Sequence, residues 1–155
     1  GLACLLLTAG PAAAAPLKAA VFDFQFSNLS PVPTDAADAA RLERVSAELR
    51  ALLERKGLYI VISTDPVRAA VAKSADLRRC NGCADDFARE LGADVAITGE
   101  VQKGSNLILN LNVYVKPLTG DAPERAYSVD LRGNTDESFD RGIRFLVENT
   151  MGAGK

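Results

Sequence analysis

ADVAITGEVQK (93–103), SNLILNLNVYVK (105–116) and ERAYSVDLR (124–132) are the stretches whose reading decides the fold. In the middle one, Leu107, Leu109, Leu111, Val113 and Val115 alternate with Ile108, Asn110, Asn112, Tyr114 and Lys116. A period of two is that of a strand with one face buried. Val95, Ile97 and Val101 must share that buried face, which an odd connection at Lys103-Gly104-Ser105, with a bulge, allows. Tyr127, Val129 and Leu131 continue it beyond PLTGDAPE (117–124). Three consecutive antiparallel strands are therefore predicted.

Upstream, KAAVFDFQFS (18–27) reads as a first strand, with Ala20, Phe22, Phe24 and Phe26 on one face. Leu42, Val45, Leu49, Leu52 and Leu53 recur at helical spacing, predicting a helix over 35–56 with Thr34 as cap and Gly57 as stop. LYIVIS (58–63) reads as a short strand and TDPVRAAVAKSA (64–75) as a helix with an early proline. A further helix is predicted from Ala84 to Leu91, with Phe87 and Leu91 inward. The last helix is capped by Asn134 or Thr135 and buries Phe139, Ile143, Leu146 and Val147. The order β-α-β-α-α-β-β-β-α implies a two-layer α/β sandwich, with helices on one face of a mixed five-stranded sheet.

The 155 residues, 48% hydrophobic, suit one domain over 16–155. A chain of this length buries roughly 68–70% of its unfolded surface and folds without a metal. A net charge of −2 offers no basic excess for nucleic acid or anionic lipid. Histidine is absent, which excludes Ser-His-Asp and Cys-His catalysis and His-bearing zinc sites. The apolar start GLACLLLTAG followed by PAAAA (11–15) reads as a signal-peptide remnant, too short to span a bilayer and cleaved near Ala15. Cys4 raises lipidation, but Gly1 stands where a lipobox needs Leu. The mature chain is expected in a periplasm, where thiols are oxidised.

Cys80-Asn81-Gly82-Cys83 is the strongest local motif. A disulfide clamping a helix–helix junction is the expected reading. A thiol–disulfide redox site is the alternative, because a Cys at a helix N-terminus can be reactive. Thioredoxin-like enzymes, however, place CxxC directly after a strand, and Asp85 and Asp86 disfavour a nearby thiolate. A single CxxC is also only half a soft-metal site. The polar face of the meander carries Glu100, Asn110, Asn112, Tyr114, Asp130 and Arg132. It reads either as an ordinary solvated sheet face or as a flat surface for docking a partner protein. In the expected register Asn112 lies near Asp130 and Asn110 near Arg132. It holds no acid–base pair in a pocket, so no catalytic residue is assigned. No EF-hand loop, GxGxxG or P-loop pattern is present, and no cofactor or metal is expected.

At VFDF (21–24), CNGC (80–83), LGADVAITGEVQKGSNLILNLNV (91–113) and DLRGNTDESFDRGIRFL (130–146) the chain resembles a family of small exported bacterial proteins forming a domain of unknown function. That resemblance implies an association with quinoprotein (PQQ-dependent) alcohol and methanol dehydrogenase systems. More distantly, the chain is similar to the TolB amino-terminal domain and CsgG-like periplasmic modules, α/β domains that bind proteins without catalysing a reaction. The expectation is a non-catalytic periplasmic accessory protein. It would act through the exposed sheet face and the Cys80–Cys83 loop, with a homo-oligomer left open. A redox protein or a metal or ligand chaperone are the alternatives.

Overall fold

The computed structural model describes residues 15–74 and 76–152. The signal and lipidation readings on 1–14 lie outside the described residues. The elements are β1 (Lys18–Val21), β2 (Gln25–Asn28), α1 (Ala36–Arg55), β3 (Ile60–Ile62), a 3₁₀ turn (Asp65–Val67), α2 (Arg68–Lys73), α3 (Cys83–Glu90), β4 (Val95–Ser105), β5 (Ile108–Pro117), β6 (Arg125–Leu131), α4 (Asp136–Leu146) and a π turn (Val147–Met151). The α/β class and the mixed sheet are as expected. The sheet order is β3-β1-β4-β5-β6, with β2 also on β4. β1 and β2 run parallel to β4, and the β4–β5–β6 meander is antiparallel.

Six strands stand where five were expected, because the first one breaks. Val21 pairs with Ile97 and Gln25 with Glu100, so the first strand spends one residue more than β4 between these points. One extra residue reverses the phase of everything after it. Ala20 and Phe22 therefore face one side of the sheet, and Phe24 and Phe26 join Val21 on the other. The backbone groups released at the break are taken up by α1. Arg50 donates to the Val21 carbonyl at 3.1 and 2.7 Å, and Ser46 Oγ accepts from the Phe24 N–H at 2.9 Å. Buried main-chain polar groups thus keep partners where the ladder fails.

α1 and α4 cover one face. Val45, Leu49, Leu52 and Leu53 of α1 meet Phe139, Ile143, Leu146 and Val147 above Leu109, Leu111, Val113 and Val115. Leu107, expected on this ridge, lies in the turn and is exposed. The phase correction comes between Lys103 and Ser105, as the parity argument required. α1 is capped by Asp35 rather than Thr34, in a reciprocal capping box with Asp38. Asp35 starts the helix because its carboxylate reaches the third helical N–H while Asp38 answers it. α4 is capped by Thr135.

Helices also occupy the second face, correcting the one-sided layering. Ala19, Ala20, Val21 and Phe22 are all buried, so β1 is apolar on both sides and needs cover on both. Val67, Leu77, Ala84 and Ala88 supply it, against Ala20, Phe22 and Ala96. Phe87 and Leu91 pack at the margin of this smaller core, as their spacing predicted. Among the described residues no helix is long and apolar enough to cross a membrane.

Candidate protein-docking surface

The second face of the sheet has two unlike halves. Over β4 it is roofed by residues 76–83, which descend from the α2 end toward α3. Leu77 donates its N–H to Gln25 Oε1 at 2.8 Å. The Arg78 guanidinium lies 3.5 Å over the Tyr114 ring and grips Glu124 with two bonds of 3.1 and 2.8 Å. A cation over an aromatic face and a bidentate carboxylate are both strong uses of arginine. The Glu124 hydrogen bond holds the Arg78 guanidinium above its ordinary pKa, burial working against it. Arg79 binds Asp76 at 2.7 Å and stands 3.5 Å from Glu100.

Glu100 is consequently 3% exposed. Its Oε1 accepts from Gln102 at 3.2 Å, while Oε2 is buried with no hydrogen-bond partner among the described residues. Asn112, at 9%, is also covered. These two residues do not belong to an open docking face, contrary to expectation. Asn110 and Tyr114 are half-buried, and Asp130 and Arg132 are exposed. The register differs by two residues from the expected one, which keeps the same faces together: Asn110 pairs with Asp130 and Asn112 with Ser128. Asn112 donates to Asn110 Oδ1 at 2.6 Å, and Ser128 Oγ donates to Asn112 Oδ1. Asn110, Asn112 and Ser128 are thus linked to one another, and the exposed Asp130 and Arg132 extend beyond them.

The cysteines lie where the roof meets α3. Cys80 and Cys83 form a disulfide with Cα atoms 5.5 Å apart, as the spacing predicted. Asn81 and Gly82 both take positive φ, 57° and 93°, which closes the four-residue ring. Cys83 opens α3, and Asp85 and Asp86 occupy the same first turn. Two carboxylates there oppose the formation of a thiolate. Alkylation should find Cys80 and Cys83 protected until a dithiol is added, with a reduction potential below about −300 mV. Replacing both by Ser should cost no more than about 2 kcal/mol, since so short a ring constrains little chain entropy. A potential near that of oxidoreductases, or a much larger loss, would contradict a local clamp.

A profile of the family described as "Protein of unknown function (DUF2380)", named DUF3280, matches residues 17–151. The chain belongs to that family. The match runs from before β1 to the π turn, so the sheet, both helical layers and the disulfide all fall within the family's extent. No curated protein matches the sequence. Among solved structures, the LpoB C-terminal domain from Salmonella enterica is similar at 16% identity and a TM-score of 0.48, over 76% of this chain and 84% of that one. The PelC dodecamer from Paraburkholderia phytofirmans is similar at 15% identity and 0.47, over 90% and 92%. Lipoprotein GNA1162 from Neisseria meningitidis gives 13% and 0.45, over 79% and 84%. At such identities the likeness is one of fold alone.

Sequence reasoning missed the arginines that make the roof. The signal was present: Arg78-Arg79 directly precedes the CNGC turn, while Glu100 sits mid-strand among apolar residues. A second buried polar cluster was missed as well. Lys103 Nζ lies 3.8 Å from Asp38 Oδ2, with both residues at or below 3% exposure. Asn134 Nδ2 donates to Asp38 Oδ1 at 3.0 Å. Lys103 follows Val101 by two, so its parity alone places it on the apolar side.

Proposed function

We propose that this chain is an exported, non-catalytic accessory protein that holds a partner protein on the open β5–β6 half of its second sheet face. One observation carries the reading. The roof and α3 cover that face over β1, β4 and the Tyr114 end of β5, leaving Ser128, Asp130 and Arg132 exposed beside the half-buried Asn110. Ser128 and Asn110, both already bonded to Asn112, lose little freedom when a partner settles on them. Among the described residues Glu100 is the one buried acid of this face, and it is set against Arg79 rather than aimed at a pocket.

Export fits the Cys80–Cys83 bridge, which persists in oxidising compartments. The leader reading places cleavage near Ala15, and N-terminal sequencing of the mature protein tests it. The family resemblance makes a periplasmic quinoprotein dehydrogenase the first partner to try.

The test is capture from periplasmic extract by the chain and by an Asp130→Arg/Arg132→Glu variant. Both substitutions lie on exposed positions, so the fold should stand. A protein retained by the parent and lost from the variant is the expected result. Equal capture by both, or none by either, overturns the docking face.

A further inference from the structure

We infer that the outer edge of β6 and the groove beside it bind an extended, acidic peptide segment, which adds to the sheet as a further strand. β6 ends the sheet order, and among the described residues nothing pairs with its outer edge. It is seven residues long. A strand of that length with no neighbour presents a row of free N–H and C=O groups, ready for another chain. Natural edges are usually short, bulged or covered; this one runs seven residues without a bulge, and only the Arg132 N–H just past its end is taken, by Ser138 Oγ at 3.1 Å.

The groove lies between that edge and α4, with a volume of about 370 Å³. Its floor is apolar. Gly142 lets α4 approach β6 so closely that a Cβ there would run into Leu131 Cδ2 and lie 3.6 Å from Val129 Cγ1. Phe145, one turn further, is half exposed at 50% and lines the same groove. An added strand sends alternate side chains toward α4, where Phe145 and Val129 offer them apolar contact.

Charge selects the occupant. The acids at the start of α4 are spent on α1: Asp136 pairs with Arg41 and Asp140 with Arg44. Arg132 and Arg141 line the groove with a single acid, Asp130, and none of the three makes an ion pair among the described residues. Two guanidiniums against one carboxylate beside an apolar floor leave a positive excess that fits carboxylates on an otherwise apolar strand. A second copy of this chain fits less well. Its own β6 would bring Arg125 and Arg132 to the pair against one Asp130, and Glu124 is already held by Arg78.

This inference shares Arg132 with the polar-face reading, but Arg141 and Phe145, the residues its test varies, belong to α4 on the opposite side of the sheet. The test uses a labelled nine-residue peptide of alternating Glu and Val, titrated by fluorescence anisotropy against the full chain. Two control peptides replace Glu by Lys or carry N-methyl groups on alternate amides. Saturable binding of the Glu–Val peptide is expected, about tenfold weaker for Arg141→Glu and for either control, and several-fold weaker for Phe145→Ala. Asp130→Arg/Arg141→Glu should show the same loss as Arg141→Glu alone or a smaller one. Equal binding of the Lys–Val or the N-methylated peptide, indifference to Arg141→Glu, or no saturable binding at all overturns the inference.

Discussion

Asp38→Ala is expected to destabilise the protein by about 3–5 kcal/mol, among the largest losses available to a single substitution here. Three structures converge on this carboxylate. It closes the α1 capping box by accepting the Asp35 N–H at 3.1 Å, while the Asp38 backbone N–H donates to the Asp35 carboxylate at 2.9 Å. It takes the Asn134 amide, which ties the start of α4 and the β4–β5 turn to α1. It also neutralises Lys103, whose side chain is 4% exposed. The cap alone is worth about 1 kcal/mol; the remainder comes from leaving an ammonium buried without a counter-charge. Lys103→Met should cost far less, because Asp38 keeps Arg41, Asn134 and the Asp35 N–H. Urea denaturation of the two single variants checks the asymmetry. A loss near 1 kcal/mol for Asp38→Ala would mean that the lysine reaches water.

The same carboxylate sets an acid limit. Burial pushes Asp38 up, but the Asn134 hydrogen bond, the Asp35 backbone N–H, Lys103 and Arg41 outweigh it and hold the group below its ordinary pKa. Asp140 is lowered too, first by its hydrogen bond from Arg44. Groups depressed in the folded state contribute stability that is complete above the unfolded carboxylate pKa, about 3.9, and is lost as pH falls through the folded value. Stability should therefore be flat from neutrality to about pH 5 and fall below pH 4. In Asp38→Asn that fall should be shallower.

What was legible in the sequence is what obeys a period. Leu109 to Val115 and Phe139 to Val147 were placed correctly because each run buries one side of one element, and parity even located the bulge between Lys103 and Ser105. The first strand defeated the same logic. Phe22 and Phe24 are both apolar and both buried, so nothing in the alternation marks the extra residue that sends them to opposite faces. The β5–β6 register slipped because the seven residues 118–124 impose no turn type. The open face was overestimated because long arginine side chains reach it from a segment some twenty residues away in sequence. Its polar composition is the same whether water or Arg78 covers it.

Gly99→Ala should cost about 1–3 kcal/mol and Gly99→Val more. A Cβ built on Gly99 meets Phe24 Cε1 and Cδ1 and lies 2.7 Å from its Cγ, so the ring rests flat on the glycine. Phe24 has little room to yield. It is 3% exposed, its backbone is fixed by Ser46 Oγ, and that hydroxyl is in turn held by the Leu42 carbonyl at 2.6 Å. The strand break that redirected Phe24 thus depends on a residue without a side chain across from it. Phe24→Leu combined with Gly99→Ala should recover part of the loss, giving a coupling that simple addition of the two single effects does not produce. Additive losses in denaturant titrations would sink the explanation. Gly142 supplies the contrast. There the nearest obstacle is the tip of Leu131, with Leu111 Cδ1 at 3.3 Å, and a leucine end can rotate aside. Gly142→Ala also gains roughly 1 kcal/mol of helix propensity, so it should be close to neutral although its clash is as short as that of Gly99. What separates the two sites is whether the opposing atom can move.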